Sequence, residues 1–570
     1  MIAAAPTPRG ATWLVPAGLF LLALAVRLVV IPLVSFAPNE GAAYYVGVAA
    51  NLVSGHGLVS NAVWSYATSP QVVPKPAFEL WMPLASLVAA LPMTILGGTL
   101  AAAQLATAVL GAVVAPLAWV MGRDAAGAAG LDERRTRGVA ITSGLLAAVL
   151  APFVAATAGP DSTTPFLVLG TLAAVLMPRA LPAGPGTGAG AGTAAGTVAG
   201  GTVRRSLPGF ALGIALGLAY LSRQEAIWLA LTFLLLLTIR LRGQRPRRVL
   251  REGVGALAPV VIGGLILVLP WLARDLADLG SPFPGQAVEN LWLRRNEDIF
   301  AWADRPNAAA YLARGAGAVI GDRLGAVVHQ LIAVLLLPAF PVGLLGLVAV
   351  VSLRRSPALR GSTALTASLM AGGATFLATA LLFPVATQWG TYLHSAGPLL
   401  VGLIVATALA GDALLARVSA RRGWAKVNVI ITPIALLAIA VPLLVLQLLI
   451  LARQADALQA RLSAVAADLA TRLPSDPAVR PTIITDHPMW LAAATGGRAI
   501  ALPDEPLTDV ADLARTFGTT WLVVLDDRGR YPAELLADPR PTCLAADPER
   551  IGPADDPAWL IRLAPDCSAP

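Results

Sequence analysis

Trp81-Met82-Pro83-Leu84-Ala85-Ser86-Leu87-Val88-Ala89-Ala90-Leu91-Pro92-Met93-Thr94-Ile95-Leu96 is the stretch on which the fold turns. It is apolar but short, and it contains Pro83 and Pro92. A spanning helix takes roughly 20 apolar residues, and an internal proline removes a backbone hydrogen bond. Counted as a full crossing, this segment would reverse the side of every later loop. Arginine clusters lie at 123–137, 179–205, 240–251, 354–360 and 417–426, the last ending in Lys426, and they occupy alternate loops. Basic loops stay in the cytoplasm. Read as an interfacial or re-entrant helix on the outer side, residues 81–96 place all five clusters inside. The N-terminus is then cytoplasmic, and the chain after 452 lies outside.

Composition agrees with this reading. The chain has 570 residues, 13% of them charged, and a mean hydropathy of +0.72. These values describe a polytopic α-helical membrane protein rather than a soluble domain. About eleven segments reach spanning length, near 13–35, 98–121, 139–158, 163–179, 207–222, 226–240, 253–272, 326–352, 363–383, 395–416 and 428–452. The first lacks a small-residue cleavage site before Pro38-Asn39-Glu40 and reads as a retained helix. Residues 1–452 carry 30 Lys and Arg against 16 Asp and Glu, while 453–570 carry 11 against 17. The base excess therefore orients the membrane segments and is not a nucleic-acid footprint. Membrane lipids are the expected surroundings, and the plasma (inner) membrane the expected location.

Residues 181–206 form a Gly/Ala-rich cytoplasmic linker without periodicity. Residues 453–570 read differently from the membrane region 1–452. Strand-like 481–485, 498–502 and 521–525 alternate with helical 490–494 and 508–517, which predicts a small extracytoplasmic α/β domain. No dinucleotide fingerprint follows these strands. The cysteines Cys543 and Cys567 both lie here. They are expected to form a disulfide if this region is outside, and otherwise to be two unpaired thiols.

The outward loops hold the unusual polar residues. In the first, spanning 36–97, Glu40 opens a helical pattern continued by Tyr44, Tyr45 and Val48. Its carboxylate is either a proton acceptor for a hydroxyl or a charge favoured by the helix dipole. Asp161 begins a span, as a cap or as a second acid. Arg223 and Glu225 share a very short turn, where they either pair with one another or leave Arg223 to grip a phosphate. The long loop 274–325 carries Arg294 and Arg295 among Trp292, Phe300 and Trp302, read as a solvated pair beside an aromatic belt or as a substrate platform. His394 starts a later span, either to contact a phosphate or move a proton, or to bond a neighbouring helix. Arg27 lies inside the first span, where a charge faces a cavity or a partner.

Taken in order, Asn39-Glu40, Tyr44-Tyr45, Ala49-Ala50-Asn51-Leu52, Gly55-His56-Gly57 and Lys75-Pro76-Ala77-Phe78 with Trp81 resemble the GT-C glycosyltransferases. These are polyprenyl-phosphate-sugar enzymes related to protein O-mannosyltransferases and the lipid A aminoarabinose transferase. The resemblance runs through the membrane region and rests on the order of short motifs. It implies a GT-C fold and transfer of a sugar from a polyprenyl-phosphate donor to an acceptor on the outer face, with inversion. An acid of the first outer loop would sit at the catalytic centre, and a second at the place of Asp161. Here Asn39 replaces one acid of the usual pair, which leaves Glu40. Tyr45, Lys75, Arg223, Arg294 and His394 are the candidates to bind substrate and the leaving phosphate. A divalent cation, Mg or Mn, would take oxygen ligands from Glu40 and Asp161, although no His/Cys/Asp/Glu cluster has metal-site spacing. Sugar and acceptor stay open. Two other readings remain: a transporter or flippase, against which stands the lack of an internal repeat, and a non-catalytic scaffold, suggested by Asn39.

Overall fold

The computed structural model describes residues 13–182, 200–283, 286–474, 476, 479–526, 533–536 and 543–564. Most of the expected linker 181–206 lies outside them. Among the described residues, eight helices are long and apolar enough to cross a membrane: Leu14–Leu33, Leu100–Ala128, Thr163–Ala180, Pro246–Leu279, Ala316–Leu336, Thr363–Leu382, Gly397–Arg421 and Ile431–Ala470. Shorter apolar helices at Ser206–Ser222, Ala226–Leu241 and Val342–Leu353 occupy other expected spans. The expected span at 139–158 is Glu133–Val149 followed by Ala151–Ala155, broken where Leu150 turns extended at ψ 122. The one at 326–352 is interrupted between Leu336 and Val342.

The deciding stretch forms a helix of 13 residues, Leu84–Leu96. At 1.5 Å per residue it is about 20 Å long, short of a hydrocarbon core of roughly 30 Å. Ala89, Ala90 and Met93 pack against Ala49, Ala102 and Ala103, while Leu91 and Ile95 are exposed. One face thus joins the protein and the other is left apolar and bare, as befits a helix seated in lipid at one end of the bundle.

Close approach of backbones holds the bundle together. Gly213 and Gly217 lie against Gly263 and Gly264, and a β-carbon on Gly213 would stand 2.1 Å from the Val260 carbonyl oxygen. Small residues at such contacts let helices pack in lipid, where no hydrophobic effect drives them together. Gly397–Arg421 is the central helix, buried along most of its length. At one end of the bundle the Arg135 guanidinium grips Asp412 at 2.6 Å, and Ser362 donates to Asp124 at 2.5 Å.

The other end carries the sheets. Strands β1 (Val59–Ser60) and β3 (Lys75–Pro76) pair antiparallel, Ser60 opposite Lys75. A six-stranded sheet has the order β2-β5-β4-β6-β8-β7, from Ala62–Val63 (β2), Ile483–Thr485 (β4), Ala499–Ala501 (β5), Trp521–Val524 (β6), Glu549–Ile551 (β7) and Ala558–Arg562 (β8). The first four strands of that order run parallel, and β8 runs antiparallel to both its neighbours, β6 and β7. Helices Pro488–Thr495 and Leu507–Thr516 alternate with β4, β5 and β6, as the pattern predicted. The sheet also takes β2 from the loop after the first span, and its core includes Val63, Tyr66, Leu293 and Phe300 from that loop and the long one. Helix Ile431–Ala470, 40 residues long, runs from the bundle into this region without a break: Leu444 and Leu448 pack on the first span's neighbours, and Leu462, Val465 and Leu469 pack under β4.

Candidate active site

Two buried carboxylates lie where the sheet region meets the bundle. Asn39 caps the helix Glu40–Val53, its side-chain oxygen accepting the Ala42 N–H at 2.7 Å. That cap places Glu40 at the first helical position, where exposed N–H groups favour an anion. Only 8% of Glu40 is exposed. Its Oε1 lies 2.9 Å from Nδ1 of His487, and its Oε2 is buried with no hydrogen-bond partner. His487 follows the carboxyl end of β4. Behind the ring, both oxygens of Asp486 accept backbone N–H groups, from Leu525 at 2.8 Å and Asp526 at 2.7 Å. Trp490, next along, donates its indole N–H to the Ala37 carbonyl at 3.1 Å. Strands β5 and β6 flank β4 on opposite sides, so the chain's crossovers diverge at β4. The crevice beyond the carboxyl end of such a strand is where open α/β sheets place ligands and reactive groups.

The second carboxylate is Asp161. Its loop packs on the first helix cap: a β-carbon on Gly159 would stand 3.2 Å from Nδ2 of Asn39. One Asp161 oxygen accepts the Thr163 N–H at 2.8 Å, and the other lies 3.4 Å from Nδ1 of His394. The same ring nitrogen is 2.6 Å from the Thr163 hydroxyl. Arg223 reaches this group from the turn after Ser206–Ser222. It donates to Ser162 Oγ at 2.9 Å and holds Glu225 with Nε and Nη2, the latter at 2.6 Å. Tyr45, on the helix that Glu40 begins, turns its hydroxyl toward Ser162 with Arg223 and Asp161 nearby.

The electrostatics follow from burial. Burial pushes the Tyr45 phenol well above its ordinary pKa, and Arg223 opposes the rise. The His394 ring retains 27% of its side-chain surface, yet its surroundings are dry enough to push it below an ordinary histidine; Asp161 works against that shift and Arg223 with it. His394 is accordingly an uncharged hydrogen-bonding group at neutral pH. Burial also disfavours the Arg223 charge, but the Glu225 carboxylate outweighs it and holds the guanidinium above its usual value.

The structure thus brings Tyr45, Asp161, Arg223 and His394 into one group, with Glu40 at the start of Tyr45's own helix. Lys75 and Arg294 do not join it. Lys75 is buried and paired with Glu79 at 2.6 Å, and its ammonium also donates to the Ser65 carbonyl at 3.2 Å. This pair lines a cavity with Tyr44, Trp64, Trp81 and Met489. Burial lowers the Lys75 pKa, and Glu79 opposes it. Between Pro76 and Glu79 of that wall stands the one non-glycine residue of positive φ among the described residues, Phe78 at 74°. Its N–H donates to the Tyr44 hydroxyl at 2.7 Å, which helps to hold this costly conformation. Arg294 pairs with Asp298 at 3.0 Å and Asp304 at 2.7 Å, while Arg295 reaches Asp504 at 2.6 Å. Arg294 thus braces the long loop internally, and Arg295 fastens it to the sheet region. Arg27 donates to the carbonyls of Ala23 and Ala148.

Among the described residues no group of three His, Cys, Asp or Glu converges, and Glu40 and Asp161 are each engaged by a different histidine. Cys543 is disulfide-bonded, and Cys567 lies outside the described residues.

No family model matches the chain, and no curated protein does. Solved structures do. ArnT from Cupriavidus metallidurans in the apo state superposes with a TM-score of 0.56 at 13% identity, over 99% of this chain and 100% of that one. The same protein bound to undecaprenyl phosphate gives 0.56 and 13%, over 98% and 100%. The two chains therefore share their architecture from end to end. The chain has the GT-C fold. The Archaeoglobus fulgidus oligosaccharyltransferase tethered to an acceptor peptide containing the NVT sequon matches with a TM-score of 0.52 at 14% identity, over 90% of this chain and 69% of that one. In this GT-C fold the residues missed by sequence reasoning are His487, Asp486 and Ser162. His487 and Asp486 stand just past a strand of an α/β pattern, and that position was the available signal.

Proposed function

We propose that this chain is a membrane glycosyltransferase that moves a sugar from a polyprenyl-phosphate donor to an acceptor hydroxyl. The reading is carried by two features of one GT-C chain: a buried carboxylate oxygen without a partner at the start of the helix Glu40–Val53, and a polar group, able to bond a phosphate, that includes Tyr45 of the same helix. The first is Glu40 Oε2; the second is Tyr45, Ser162, Arg223 and His394. The complex of ArnT with undecaprenyl phosphate supports a donor of that class.

The acceptor hydroxyl gives its proton to Glu40 Oε2 while its oxygen bonds to the anomeric carbon. The carbon–oxygen bond to phosphate breaks, and the polyprenyl phosphate leaves from the opposite side, which inverts the centre. Arg223, exchanging part of its grip on Glu225, faces the charge that develops on the phosphate, and Tyr45 and Ser162 offer hydrogen bonds. Such preorganised stabilisation of developing charge is the largest catalytic contribution. The basic loops put the other end of the bundle in the cytoplasm; the site then faces outward, with the sheet region over it. The test is transfer in proteoliposomes from a panel of radiolabelled undecaprenyl-phosphate monosaccharides, with the anomeric configuration of the product read by NMR. Inverted product supports the reading. Binding of these donors without transfer to any lipid, glycan or peptide acceptor would leave a scaffold.

A further inference from the structure

We propose that His487 is a positioning residue for Glu40, so that the base is complete only when the sheet region is seated on the bundle. This rests on the transfer reading above for its chemistry, but its geometry is independent of that reading. His487 and Glu40 are 447 residues apart in the chain and meet at 2.9 Å, Nδ1 to Oε1. A donor on Oε1 holds the carboxylate by one oxygen and leaves the other buried and without a partner, able to take a proton. The histidine is itself held from behind. Asp486 is locked to the end of β6 by two backbone N–H groups, and the Trp490 indole packs against the His487 ring with centroids 5.1 Å apart while bonding the Ala37 carbonyl.

Two further attachments fix the same interface. β2, from the loop that follows Glu40's helix, is an edge strand of the sheet, Ala62 opposite Ala499 and Val63 opposite Ile500. Phe36, just before the helix cap, packs in the cluster of Ile483 and Leu491 on either side of His487. Asp486 lies behind the ring, its Oδ2 4.0 Å from Nε2 of His487, and the loop that carries Asp161 packs on Asn39 through Gly159. A carboxylate held this way by a histidine from a separate layer is a base whose aim depends on docking. Proton transfer runs from the acceptor hydroxyl to Glu40 Oε2, and His487 keeps its own proton throughout.

The test compares His487→Ala with His487→Asn, whose side-chain amide retains a donor near the position of Nδ1. The first readout needs no activity: the antisymmetric carboxylate stretch of Glu40, isolated as the infrared difference between the full-length protein and its Glu40→Gln variant. The second is turnover and KM with the undecaprenyl-phosphate monosaccharide panel. The expected result is a shifted band and a turnover about 10- to 100-fold lower in His487→Ala, the loss of one hydrogen bond to a charged group. KM for the donor stays within about 3-fold, and His487→Asn recovers both the band and most of the rate. An unshifted band in His487→Ala overturns the proposal. So does an equal loss in both variants that comes through KM. The expected band shift in His487→Ala, with no transfer by the wild type, removes the transfer reading and leaves the positioning contact standing.

Discussion

Glu40 and Asp161 are the same kind of group in nearly the same setting, and they differ in spare capacity. Each is a buried carboxylate at the start of a helix, and each faces a histidine. Asp161 has one oxygen held by the Thr163 N–H and the other 3.4 Å from His394 Nδ1, which lies closer to the Thr163 hydroxyl. Glu40 has one oxygen held by the sheet region and the other unpartnered. A carboxylate set among hydrogen-bonding neighbours on its own helix end fastens structure; one with a buried oxygen that has no partner can accept a proton.

The sharpest way to break this comparison is to neutralise each acid in turn. Glu40→Gln is expected to lower turnover at least about 100-fold, the low end of general-base effects, with binding of undecaprenyl phosphate retained. Near-normal turnover would move the base elsewhere. Asp161→Asn keeps an oxygen for the Thr163 N–H, so its turnover should fall no more than about 10-fold; a loss equal to that of Glu40→Gln would erase the distinction between the two acids. Arg223→Ala tests the group around Asp161 by a different quantity. Undecaprenyl-phosphate affinity should drop about 10-fold by calorimetry, the loss of a charge-assisted contact, and turnover at saturation should fall as well, because the same guanidinium faces the developing charge. The smallest effect is expected from Asn39→Asp. Aspartate caps helices as well as asparagine does, so turnover and melting temperature should stay within about 2-fold and a few degrees. A large loss would mean that the Asn39 amide itself, lying against Gly159, contributes to the site.

Much of the site was legible because its residues stood out against their surroundings. Glu40, Asp161, Arg223 and His394 are polar groups at the ends of apolar segments, where charge is costly, and their positions alone marked them. Arg294 stood out equally, yet it pairs with Asp298 and Asp304 within ten residues of itself. The local i,i+4 spacing to Asp298 hinted at that outcome, whereas Asp304 required the loop to fold back. Lys75 carried a motif resemblance, but its partner Glu79, also four residues on, claims it in a buried pair. His487 could not be singled out from its neighbours, since nothing near it in the chain resembles a partner for Glu40.

The sequence by itself determined the helical membrane class, the short apolar helix at 84–96 and the α/β alternation near the C-terminus. These are sums over segments: apolar length, charge bias between loops and periodicity each accumulate over many residues, so local exceptions do not overturn them. Only the tertiary structure decided that Ala62–Val63 would join the sheet as β2, that Arg223 would meet Ser162, and that His487 would hold Glu40. A two-residue strand has no period to detect. A contact across 447 residues follows from the path of the chain through the bundle and along the helix Ile431–Ala470. A single side-chain pair is specified by that path, and no segment of the sequence contains it.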